Sequence, residues 1–179
     1  MRRAALGLLI LFGTSAVAQD ADPSTLSFDL NGDGIVEVFT LLVSETGEAD
    51  LRISETGGND VYAAGIGSTG PGADRPVLAI RGDGQVTITS HHDAVGAIRW
   101  SEVLTLGFPD GTYRITAYSY VWWSESDLES FGYCELDLRS GKGTVEQNGQ
   151  PRFDLLTDIP ALPATMWASA EKVMPMDCP

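Results

Sequence analysis

Nine residues near the start of the chain have the make-up of an ion-binding loop. Asp29-Leu30-Asn31-Gly32-Asp33-Gly34-Ile35-Val36-Glu37 carries oxygen-bearing side chains at loop positions 1, 3, 5 and 9, with glycine at position 6. A hard cation such as Ca²⁺ takes roughly six to eight oxygen ligands in a flexible cage, and Asp29, Asn31, Asp33 and Glu37, with the carbonyl of Ile35 at position 7, supply them from one short segment. The helical EF-hand is excluded. Position 12 is Thr40 instead of a bidentate Glu, and no amphipathic helix precedes Asp29, so Glu37 is the candidate for the missing acid. The competing reading is an unoccupied Asn-Gly-Asp-Gly turn, because Asn, Asp and Gly favour tight turns with or without a metal.

The same residues, followed directly by a β-branched run, resemble the DxNxDGxxD/E calcium loops of FG-GAP and VCBS-type extracellular repeats and of dockerins. The resemblance is confined to this loop and implies a structural Ca²⁺, not a function for the whole chain. Taken as a whole, the chain resembles an exported bacterial β-domain.

Other residues with chemical potential are fewer. Cys134 and Cys178 have no CxxC spacing, which in an oxidising compartment predicts a structural disulfide tying the tail to the body; closing that span contributes about 4 kcal/mol in the chain-entropy treatment. His91-His92-Asp93 holds both histidines of the chain. Neighbours on a strand point to opposite faces, so the triplet reads as a polar turn, and a zinc site would need further ligands. Glu102 interrupts an otherwise apolar strand face, which marks either a buried general base or a bulge, a sheet edge or an ion pair with an arginine such as Arg99 or Arg114. Tyr118, Tyr120, Trp122 and Trp123, beside Glu125, Asp127 and Glu129, form a candidate binding patch, with core packing the competing explanation. No Gly-x-Ser-x-Gly elbow and no phosphate-binding glycine loop occurs.

The elements that must position these residues are strands. Residues 1–18 read as a secretory signal peptide: Arg2 and Arg3, an apolar run from Ala4 to Phe12, then Ala16 and Ala18 before the cut. Residues 19–25 are a polar lead-in, and 26–179 form a single β-rich domain. Turn residues punctuate this domain every 8 to 15 positions, without βαβ alternation, so the expected fold is all-β and mainly antiparallel. It is a sandwich or a partly closed barrel with a short C-terminal helix or an extended tail. Of 179 residues, 25 are acidic and 11 basic, a formal charge of −14 that becomes −16 when Arg2 and Arg3 leave with the leader. That excess argues against nucleic-acid binding. No second apolar run in the sequence is long enough to span a bilayer. The functional expectation is an exported, periplasmic or secreted module, stabilised by Ca²⁺ and a disulfide, that binds a basic protein or a surface component. Its alternative is a small carbohydrate-active hydrolase using paired carboxylates, with the balance leaning away from an enzyme.

Overall fold

In the computed structural model the described residues are 24–45, 48–68, 74–93, 98–127, 129–156 and 160–172. The expected leader, its cleavage point and the lead-in to residue 23 lie outside them.

The first sheet is a four-stranded antiparallel meander, β1 (Thr25–Phe28), β2 (Glu37–Val43), β3 (Glu48–Glu55) and β4 (Val61–Ser68), in that spatial order. Alternation in β2 and β3 decides its inner face. Phe39 and Leu41 lie opposite Ile53 and Leu51 in register, and all four are buried, as a strand with one face on a core requires.

The second sheet follows the same logic over a longer stretch. It contains β5 (Val77–Ile80), β6 (Val86–His92), β7 (Ile98–Gly107), β8 (Arg114–Ser124), β9 (Phe131–Asp137), β10 (Lys142–Gln147) and β11 (Gln150–Leu156), neighbours in space as in sequence. The two-residue β12 (Leu162–Pro163) pairs with the start of β8, and a 3₁₀ helix follows over Ala164–Lys172. Val86, Ile88, Leu104, Leu106, Ile115, Tyr118, Cys134, Leu136 and Val145 from this sheet join Phe39, Leu41, Leu51, Ile53, Ala63 and Ile66 from the first in one buried apolar cluster. Trp167 of the 3₁₀ helix completes it against Tyr118, ring centroids 5.9 Å apart.

Two antiparallel sheets sharing one core are thus the all-β fold expected. Among the described residues neither sheet closes into a barrel, and the C-terminal helix is a 3₁₀ segment.

One of the two cysteines falls within the described residues. Cys134 is fully buried and disulfide-bonded, but its expected partner Cys178 lies outside the described residues. No disulfide joins two described residues, so they do not show a domain stabilised by a Cys134–Cys178 bridge. Cys134 packs in the core, opposite Tyr120 on β8 and Val145 on β10.

Candidate metal centre

The Asp29–Glu37 loop joins β1 to β2 and is organised almost entirely by its own carboxylates. Gly32 N donates to Asp29 Oδ1 at 2.8 Å and Gly34 N to Asp29 Oδ2 at 3.0 Å. Asp33 N donates to Asn31 Oδ1 at 2.9 Å, and Ile35 N to Asp33 Oδ1 at 2.7 Å. Gly32 and Gly34 have φ of +76° and +87°, a region that glycine enters without steric cost, and this lets the chain wrap around Asp29.

Glu37 has a different task from the outer acids. It is fully buried, on the inner face of β2 in line with Phe39 and Leu41. Its Oε2 accepts from Leu30 N at 2.8 Å, and its Oε1 from Asn31 N at 3.2 Å and from Tyr113 Oη at 2.7 Å. Tyr113 precedes β8 of the second sheet, with its ring at 4.7 Å from Phe108 and 6.5 Å from Phe39, centroid to centroid. Burial, then the Glu37 carboxylate, push the Tyr113 phenol far above its usual range, so it stays a donor. One buried carboxylate therefore fixes the loop and links it to the opposite sheet.

Sequence reading missed one acid. Glu55, the last residue of β3, lies directly opposite Glu37 in register. Burial, then the charges of Asp33 and Glu37, raise its pKa, with Asp33 within hydrogen-bonding reach and Asp29 adding a smaller push. Asp29, Asp33, Glu37 and Glu55 thus converge at the end of the first sheet. Only the hairpin register brings Glu55 there, and nothing in the loop's own sequence signals it.

A second cluster lies on the second sheet. Asp74, His91 and Asp93 bring one ligand atom each to within 4.8 Å of one another, a group able to hold a metal ion. His91 Nε2 stands 3.0 Å from Asp74 Oδ2. His92 points to the other face, as the alternation of a strand requires, and stacks on Trp100 at 6.2 Å. Of the polar turn expected at residues 91–93, His91 and His92 are the end of β6 and Asp93 lies just past it.

The aromatic patch divides. Tyr118 belongs to the core, whereas Tyr120 and Trp122 are half-buried further along the same face. Trp123 alternates to the opposite face of β8. Trp100, across from Trp122 on β7, stacks on Tyr120 at 6.1 Å. Burial, then the nearby Glu102, raise the Tyr120 phenol. Arg99 pairs with Glu125, and Arg114 with Asp110.

Glu135 and Asp137 reach a concavity of about 580 Å³ on the outer face of the second sheet. Burial pushes Asp137 up, but donors from Arg139 and Ser140 outweigh it and hold the carboxyl below its usual value. It is a charged anchor of the β9–β10 turn and has no proton to donate at neutral pH.

The chain matches no protein-family model, no curated protein and no solved structure. The site's chemistry therefore stands on its own residues.

Proposed function

We propose that the chain is a calcium-binding β-protein, in which one Ca²⁺ is held by Asp29, Asn31, Asp33 and Glu55, with the Ile35 carbonyl, over a floor fixed by Glu37. The observation that carries this reading is the pairing of Glu37 with Glu55. Like charges directly opposite on adjacent strands destabilise a sheet, and here two further carboxylates, Asp29 and Asp33, crowd the same end. An all-oxygen set with no imidazole or thiolate suits a hard cation. The ion offsets the repulsion among the acids, and its role is structural: it pins the β1–β2 connection, which Tyr113 couples to the second sheet.

Calorimetric titration of metal-free protein with Ca²⁺ tests this, beside thermal melting with and without chelator. One equivalent is expected to bind, with a dissociation constant on the order of 10⁻⁴ to 10⁻³ M, as in other extracellular modules, and saturating Ca²⁺ should raise the melting temperature. Asp33→Asn and Glu55→Gln should each weaken binding about tenfold or more. Glu55→Gln should also leave the metal-free protein as stable as the parent or more so, because it deletes one of two opposed charges. No heat of binding and an unchanged melting temperature would establish an empty Asx-glycine turn.

A further inference from the structure

We propose that Asp74, His91 and Asp93 form a second cation site, separate from the calcium loop, that takes a divalent transition metal of the Zn²⁺ class. The two differ in donor chemistry and in location. The calcium loop belongs to the first sheet and offers oxygen alone; this cluster belongs to the second and adds an imidazole nitrogen. A mixed set of one imidazole and two carboxylates suits a borderline ion better than Ca²⁺.

The geometry fits an ion of that size. With metal–nitrogen distances of about 2.0–2.1 Å and metal–oxygen distances of about 2.0–2.2 Å, two ligands of one ion at angles between 90° and tetrahedral stand about 3.0–3.4 Å apart. His91 Nε2 and Asp74 Oδ2 are already 3.0 Å apart. The Asp93 ligand atom falls within 4.8 Å of both of the others. Three protein ligands leave at least one coordination position for water or an external ligand.

The backbone holds two of the ligands in place before any metal arrives. Asp74 N donates to His91 O at 3.1 Å, extending the β5–β6 pairing past Val77 and Thr89. His91 is locked in β6 by pairing with Ser101, and its side chain is 30% exposed, so the ring is held yet reachable. Asp93, two residues on, leaves the strand on the same side as His91. An ion pair between His91 and Asp74 alone would give Asp93 no role, and that difference makes the site testable.

The experiment titrates ZnCl₂ into the untagged, full-length chain at pH 7.5 in constant saturating Ca²⁺, following the two histidine rings by NMR. One equivalent should shift the ring signals of His91 and leave those of His92 in place. His91→Ala should abolish binding, and Asp74→Asn and Asp93→Asn should each weaken it about tenfold or more. Asp33→Asn should leave it unchanged, so loss of the calcium reading and loss of this one are distinguishable. Equal shifts at both histidines, or unaltered Zn²⁺ affinity in Asp93→Asn, would overturn the site and leave a surface ion pair. These side chains are half-buried or exposed, so the variants should fold, which retention of the remaining amide spectrum checks.

Discussion

Glu37 shows how a fully buried charge is made tolerable and then put to use. Two backbone amides and a phenol satisfy it from three directions, so the desolvation of the carboxylate is met by donors instead of by a basic side chain. Tyr113 is the only one of the three that can be altered without touching the loop's backbone. Tyr113→Phe keeps the ring against Phe39 and Phe108 but strips one charge-assisted hydrogen bond, and should lower stability by about 1.5 kcal/mol. Urea denaturation measures that loss, and the calcium affinity proposed for the loop should fall with it, because the floor of the loop is less firmly set. Such a residue is invisible in the sequence: Tyr113 is 76 positions from Glu37, and no local pattern ties a tyrosine after Pro109-Asp110-Gly111 to an acid at the head of another sheet.

Strands were readable wherever one face is buried. The alternation in β7, and the apolar run that becomes β2, place their elements to within a few residues. Lys142–Gln147 and Gln150–Leu156 gave no such signal. β10 has one fully buried apolar side chain, Val145, and β11 carries Pro151, which has no amide hydrogen to donate and belongs on a sheet edge. Their hairpin is made instead by Asn148 and Gly149, at φ of +54° and +71°, two successive left-handed residues as in the tight turns that match strand twist. The same register explains what was legible in the two candidate metal clusters. Asp29, Asn31 and Asp33 announce themselves by spacing, whereas Glu55 and Asp74 join their partners through strand pairing alone. Close strand approach also makes a firm demand at Gly143. A Cβ there would stand 2.5 Å from the Glu135 carbonyl oxygen and meet the Leu136 side chain. Gly143→Ala should therefore push β10 off β9, at a cost of about 1–3 kcal/mol, seen as a lower urea midpoint and faster amide exchange confined first to β10 and β11.

The molecule as a whole carries a formal charge of −14, and much of its architecture distributes acids among fixed donors. Arg114 is one such donor with a second, longer reach. It grips Asp110 with Nε at 2.8 Å and Nη2 at 2.8 Å, and its Nη1 donates to Ala161 O at 2.7 Å, joining the segment before β12 to the second sheet. The guanidinium holds the Asp110 carboxyl below the ordinary 3.8. With the folded value depressed, the contribution of this pair is present above pH 3.8 and disappears as pH falls through the folded value. Carbon-detected NMR titration should find Asp110 titrating below 3.8 in the parent and returned to it in Arg114→Ala, with faster amide exchange around Leu162. Among the described residues no helix is long and apolar enough to cross a membrane. The near-sequential strand order has a kinetic consequence. Each strand of a meander can be laid on its predecessor by closing a short loop, so most of both sheets can form in the order of synthesis. The exception is the return of β12 and the 3₁₀ helix to β8 and β4, which must come last. Until Trp167 arrives, Tyr118 has no cover on that side, and a nascent chain released before Leu162 would display it to solvent.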